Sequence, residues 1–428
     1  MGFEQGLSGL EASTQNLAVI GNNVANSSTV GFKSSEVLFA DVYANSLTGA
    51  GASQVGIGVQ VQSVEQQFTQ GNITSSNNPL DIAINGGGFY EMSNNGTISY
   101  TRNGQFQIDK NGFIVNASGD RLQGYAADAA GALQTGSTTD LQINTANIAP
   151  SATTDVKAVI NLDARDKIPA TTPFSATDPT TYNNSSSVTL YDSLGDPHVL
   201  QTYYVKTGPT SAAPAGTEGT WAVYGTLDNT EVSGTTPPTP LSTLTFNTSG
   251  AIDTTATTLP IVLSNLNTTN GSISPLGSNT AAGGVDLDFT GTTQYGAAFA
   301  TTSLTQDGFT SGQLSGFSAS ADGTIVGSYT NGQSKTLGQI ALTSFTDPNG
   351  LQNLGNNEWA ATAASGTPLV GVPGTGSLGV LQSSATEDSN VDLTSQLVNM
   401  ITAQEDYQAN AQTIKTENDL LQTLVTLR

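Results

Sequence analysis

The sequence predicts an α+β protein in which two terminal helices enclose discontinuous, nested and mainly antiparallel β domains. Three observations predict it. An apolar repeat of 3.5 residues runs through residues 388–428, and a weaker one runs through the first helix-like stretch. The long middle has no helical period and is punctuated by Asn-Gly pairs.

The C-terminal repeat is Leu393, Leu397, Met400, Gln404, Tyr407, Ala411, Ile414, Asn418, Leu421 and Val425, in alternating steps of four and three. Such spacing keeps one stripe of a long helix facing a partner helix. No Pro or Gly interrupts it. Asp388, Ser389 and Asp392 suit a helix start, while Lys415 and Arg428 put positive charge toward the carbonyl end. At about 1.5 Å per residue this helix is roughly 55 Å long. The N-terminal repeat, Leu7, Leu10, Thr14, Leu17, Gly21 and Val24, offers a partner, and that helix is expected to fade near Asn26. Thr14 and Gly21 weaken its seam. Periodicity leaves two readings open: an antiparallel hairpin that closes one globular domain, or a pair that packs against copies of itself.

Composition narrows the function. Acidic residues outnumber basic ones 34 to 11, for a formal charge of −23, and no Lys or Arg lies between Lys206 and Lys335. A surface of that sign repels phosphate backbones, which argues against nucleic-acid binding. With no Cys there is no disulfide framework, thiolate metal site or cysteine nucleophile. No basic segment followed by an apolar core opens the chain, Gly6 breaks the myristoylation pattern, and no apolar run is long enough to span a bilayer.

Along the middle, Val55 to Val61 alternates like a strand. Asn95-Gly96, Asn103-Gly104, Asn111-Gly112 and Ser118-Gly119 then set the rhythm of an antiparallel meander, read as tight hairpin turns with positive φ at both central residues. From about Thr145 to Thr293 the texture is Thr-, Ser- and Pro-rich, as expected of a β domain inserted into the first. Meander texture returns with Asp322-Gly323 and Asn331-Gly332.

Several stretches imitate chemistry. Gly374-Thr375-Gly376-Ser377-Leu378-Gly379 matches a dinucleotide fingerprint, but Pro373 precedes it and the next helix begins about ten residues later, so a glycine-rich loop is expected instead. Gly86-Gly87-Gly88 lacks the Lys-Ser/Thr of a phosphate loop and reads as a turn. Asp109 to Asp120 has its Gly at the wrong position for a calcium loop. His198, the only histidine, is expected to be a partly exposed strand residue, and no Gly-x-Ser-x-Gly elbow occurs. No catalytic, cofactor or metal residue is singled out.

Four ordered motifs resemble the bacterial flagellar rod and hook axial proteins. They are Asn16-Leu17-Ala18-Val19-Ile20-Gly21-Asn22-Asn23-Val24-Ala25-Asn26 with Thr29-Val30-Gly31-Phe32-Lys33; Asn78-Pro79-Leu80-Asp81-Ile82-Ala83-Ile84; Tyr100-Thr101-Arg102-Asn103-Gly104 through Gly124-Tyr125; and Ser389-Asn390-Val391-Asp392-Leu393 through Tyr407-Gln408-Ala409-Asn410-Ala411 to Arg428. Within that family the large insertion and residues 322–329 look like the hook members, since rod members are shorter in the middle. Two positions depart from the family pattern: Glu405 stands where Arg is usual, and Thr386 where Leu is usual.

What the resemblance implies is a structural subunit, not an enzyme, that polymerises into a curved flexible tube transmitting torque from rod to filament. Residues 1–33 and 388–428 would form the inner tube, 34–74 and 367–387 a connecting segment, 75–145 and 294–366 a split β domain, and 146–293 an inserted outer β domain. Leu7, Leu10, Leu17, Val24, Leu393, Leu397, Met400, Tyr407, Ile414, Leu421 and Val425 would be subunit-packing residues, and Gly31, Gly49 and Gly51 points of flexibility or ordinary turns. Implied partners are the protein itself, the distal rod protein, the hook–filament junction protein, the hook cap and the flagellar export apparatus, which would carry the chain out of the cell without a cleaved signal peptide. A stiff distal rod protein, or a secreted monomeric adhesin or enzyme, are the competing readings.

Overall fold

A computed structural model describes residues 2–42, 56–208, 217–263 and 284–426. The chain divides into two compact units, one of residues 1–145, 315–328 and 334–428, the other of residues 146–314 and 329–333. Gly49 and Gly51 lie outside the described residues.

In the first unit, helix α1 (Gly2–Ala25) and helix α2 (Leu393–Thr426) lie antiparallel, as the spacing predicts. Helix α2 starts where expected, because the Asp392 Oδ1 accepts from the backbone N–H of Thr394 at 2.9 Å and occupies the N-cap. A long hairpin, Ser35–Val42 with Gly58–Gln66, packs against α1 and has a bulge between Leu38 and Phe39. Behind it lies the meander, in which Phe89–Asn94 pairs with both Thr97–Thr101 and Arg121–Ala126. C-terminal strands complete this sheet: Glu358–Ala360 joins Thr97–Thr101, and Leu342–Ser344 joins Phe89–Asn94. Its core includes an aromatic cluster, with Phe89 edge-on to Phe68, Phe345 and Trp359 at 5.4–5.8 Å between ring centres. Such pairs add about 0.5–1.5 kcal/mol each beyond area burial.

The meander's turns differ from the expected type. Only at Asn95-Gly96 do both residues have positive φ, 51° and 91°. Asn103-Gly104 is no hairpin turn: neither residue has positive φ, and the segment pairs instead with Asp81-Ile82, whose Ile82 N–H donates to the Gly104 carbonyl at 2.9 Å. Elsewhere an Asx residue three positions before a glycine builds the turn. The Asp109 Oδ1 accepts from the N–H groups of Asn111 and Phe113, both at 2.8 Å, and Gly112 adopts φ +87°. Asn116 with Gly119, Asp128 with Gly131, Asp192 with Gly195 and Asn247 with Gly250 repeat the device. The side chain supplies the acceptor that the turn's N–H groups need, and glycine takes the left-handed position.

The second unit is a pair of five-stranded sheets around one core. Asp155–Asp163 is central to one, with Val156, Ala158, Ile160 and Leu162 alternating inward. The other contains Asn184–Tyr191, Pro197–Lys206, Thr217–Leu227 and Ser242–Asn247, and contributes Leu190, Leu200, Tyr204, Trp221, Leu244 and Phe246. The insertion does not end at residue 293. Thr293–Tyr295 runs parallel and Ala300–Gln306 antiparallel to Asp155–Asp163, which carries the compact unit to residue 314. Short Thr- and Ser-rich strands with weak periodicity hid that return in the sequence. His198 is also placed differently from expectation. It is 2% exposed, with Nδ1 2.7 Å from Asp228 Oδ2 and Nε2 3.9 Å from Asp192 Oδ2.

Candidate subunit-packing surface and its buried root

Helix α1 carries two stripes. Gly6, Gly9, Ser13, Asn16, Ile20 and Asn23 recur at steps of three and four, and this small-residue stripe faces α2. A Cβ on Gly6 would sit 2.9 Å from Ile414 Cγ1, and one on Gly9 would sit 2.6 Å from Asn410 Oδ1. The helices approach closely because glycine allows it. At its far end Asn23 donates to the Ser35 carbonyl at 2.8 Å, accepts from the Ser35 N–H at 2.9 Å, and lies 3.4 Å from the Gln396 amide oxygen.

The N-terminal leucine stripe therefore does not face α2 inside the chain, while the C-terminal stripe reaches α1 at Ile414, which packs at Gly6. At about 100° per residue, Phe3, Leu7, Leu10, Thr14 and Leu17 lie roughly 100° around α1 from the glycine stripe. On α2 the offset from the α1-facing side is roughly 100° at Leu397 and roughly 60° at Leu393, and it shrinks to roughly 40° at Met400 and roughly 20° at Tyr407. Leu7, Leu393, Leu397, Tyr407 and Leu421 are exposed, at 38–55% of their surface, as are Phe3, Val398 and Ile401. Leu10, Leu17, Val24, Met400 and Ile414 are half-buried, Ile414 because it packs at Gly6. The Val425 side chain lies outside the described residues. Glu405 is exposed and takes part in none of the ion pairs found among the described residues.

At the root of the pair lies a cluster that sequence patterns did not single out. Glu387 is fully buried and meets two buried cations, Lys33 Nζ at 2.7 Å from Oε1 and Arg102 Nη1 at 3.3 Å from Oε2. Glu387 Oε1 also accepts from the Gly71 N–H at 2.9 Å, and its carbonyl accepts from the Gly31 N–H at 2.8 Å. Lys33 donates onward to the Thr69 carbonyl, and Arg102 to the Gly86 carbonyl. Burial pulls the Lys33 and Arg102 pKa values down, and the charge of Glu387 opposes that in both. Gly31 has φ +72°, and a Cβ there would lie 2.8 Å from the Asn103 N, so this turn needs glycine. Thr386 places its hydroxyl 3.3 Å from that of Thr74, a polar pairing in place of a leucine. Lys33, Arg102 and Glu387 each fall inside or beside a motif, but their partners lie 285 and 354 residues away, a relation that no local pattern reports.

Among the described residues no group of three or more His, Asp or Glu side chains is placed to hold a metal. The loop from Gly374 to Gly379 closes on itself through the Gly374 N–H and the Gly379 carbonyl, and feeds the strand Val380–Ser383 rather than a helix. No helix is long and apolar enough to cross a membrane among the described residues.

Long antiparallel terminal helices that leave large apolar side chains exposed, rooted on the β sheet of their own unit, define a structural subunit. Comparison with known proteins gives the particular family. The flagellar basal body rod protein family matches residues 3–33, the flagellar hook protein FlgE/F/G D1 domain residues 83–160, the flagellar basal body protein FlaE D2 domain residues 161–309, and the flagellar basal body rod FlgEFG protein C-terminal family residues 382–427. Flagellar hook protein FlgE of Salmonella typhimurium is 41% identical over the whole of both chains. That of Borreliella burgdorferi is 31% identical over 99% of this chain and 98% of its own. The crystal structure of Helicobacter pylori flagellar hook protein FlgE2 shares the fold, with a TM-score of 0.51 at 14% identity over 74% of this chain and 99% of that one. The chain belongs to the flagellar hook protein family.

Proposed function

We propose that this protein is the repeating subunit of a curved, flexible hook tube that carries torque from rod to filament. The helix pairs form its inner wall and the β units its outer layers. The observation that carries this reading is the division of labour on the helices. A glycine-rich seam is satisfied within the chain, while Phe3 and Leu7 on α1 and Leu393, Leu397 and Tyr407 on α2 are exposed. Burying a large apolar side chain is worth about 1.5–3 kcal/mol, so half-exposed ones contribute about 1 kcal/mol each. Seven of these, Phe3, Leu7, Leu393, Leu397, Val398, Ile401 and Tyr407, give about 7 kcal/mol, against an association cost of about 4–15 kcal/mol.

In this reading the tube meets the distal rod protein at one end, and the hook cap and then the hook–filament junction protein at the other. The chain leaves the cell through the flagellar export apparatus without a cleaved signal. A rod shaft shares the helices, but the family match over the insertion favours the hook. Negative-stain microscopy of concentrated protein tests the proposal. The wild type is expected to form tubes, while Leu7→Asp and Leu397→Asp remain monomers with unchanged melting of the β units. Tubes from both variants at the wild-type concentration would overturn it.

A further inference from the structure

We infer that Glu387 is a positioning residue that clamps the root of the helix pair to the β body, and that Lys33 and Arg102 are its two jaws. Three chain regions converge on this one carboxylate. Lys33 and Gly31 lead out of α1, Gly71 and Thr69 follow the long hairpin, and Arg102 leaves the meander strand Thr97–Thr101. The segment between Glu387 and α2 repeats the pattern with neutral groups. Asp388 N–H donates to the Asn72 carbonyl at 2.8 Å. Asn390 donates to the Gln67 carbonyl at 2.6 Å and accepts from the Ser34 N–H at 2.7 Å.

The charge balance makes Glu387 the member that the others cannot replace. Lys33 and Arg102 are both almost wholly buried, and Glu387 is the only carboxylate paired with either among the described residues. Removing Lys33 leaves a one-to-one pair, whereas removing the charge of Glu387 strands two cations in a site that water does not reach. Arg102 already has one buried nitrogen, Nε, without a hydrogen-bond partner, and loss of the Glu387 charge would leave its Nη1 without its carboxylate acceptor as well. Because the partners are 354 and 285 residues apart, the N-terminal root acquires its counter-charge only when the C-terminal segment has docked.

Site-resolved amide hydrogen exchange on the full-length monomer tests this. Glu387→Gln is expected to speed exchange at least tenfold in residues 26–35, 67–72 and 385–392, leaving Phe89–Asn94 and Asp155–Asp163 unchanged. Lys33→Met is expected to have a smaller effect confined to the same segments, and its effect combined with Glu387→Gln is expected to be less than the product of the two. Glu387→Asp, which keeps the charge but cannot reach both cations, is expected to restore part of the protection and serves as the reporter if Glu387→Gln does not fold. Unchanged root exchange in Glu387→Gln and Glu387→Asp, or equal acceleration across both β units, would overturn the inference. Neither result bears on whether the protein polymerises.

Discussion

Tyr90 and Tyr100 show how single side chains set the pH range of the fold. Burial pushes the Tyr90 phenol well above its usual value while its hydroxyl donates to the Ile82 carbonyl at 2.6 Å, and burial with the nearby Glu91 charge pushes Tyr100 up to about 12. An unfolded tyrosine titrates near 10. A raised folded value means the stabilisation is complete below about pH 10 and is lost as pH rises through the folded value near 12. Denaturant midpoints are therefore expected to fall above pH 10, and a 295 nm titration should show these phenols ionising late. A flat midpoint to pH 12 would contradict the assignment. At this scale the sequence is least legible. Asn111-Gly112 reads as a turn, and is one, but the acceptor that builds it is Asp109, and replacing Gly112 with Ala at φ +87° is expected to cost more than about 1 kcal/mol in chemical denaturation. His198 looked like a surface strand residue because nothing local reveals Asp228, which arrives from another turn.

The helices are the best-read elements and also the most instructive. Their extents, antiparallel pairing and the Asp392 cap follow from periodicity and capping chemistry. Which stripe pairs inside the chain does not, because a seam rule that looks for leucine overlooks Gly6, Gly9 and Ser13, where smallness brings the backbones together. Gly9→Val tests that close approach. It drives a branched side chain into Asn410 and, at about 1–3 kcal/mol for overpacking, is expected to lower helical circular dichroism while β-unit melting stays as in the wild type. An unchanged helix signal would show that the pair tolerates a wider seam. The long hairpin Ser35–Val42 with Gly58–Gln66, expected only as connecting segment with one strand, packs both of its strands against α1, a long-range contact that no local pattern reports.

For the whole molecule, nested α+β organisation was legible from texture, and the four family motifs mark the ends and the split β domain. The exit of the insertion was not, because strand pairing with Asp155–Asp163 decides it and composition does not. Net charge sets a further condition on assembly. Copies carrying −23 repel one another, and salt shortens the screening length from about 30 Å at 0.01 M to about 8 Å at 0.15 M. The critical concentration for tubes is thus expected to fall over that range in sedimentation assays, and a rise would indicate that ion pairs, rather than leucine stripes, hold the polymer. Leu7 and Leu397, exposed in the monomer, are expected to be covered in the tube. Because the chain has no cysteine, Leu7→Cys and Leu397→Cys each supply a single reporter, and maleimide labelling can be timed before and after polymerisation. Labelling at both positions is expected to slow at least tenfold in the tube; labelling as fast in the tube as in the monomer would contradict burial of Leu7 and Leu397 between subunits.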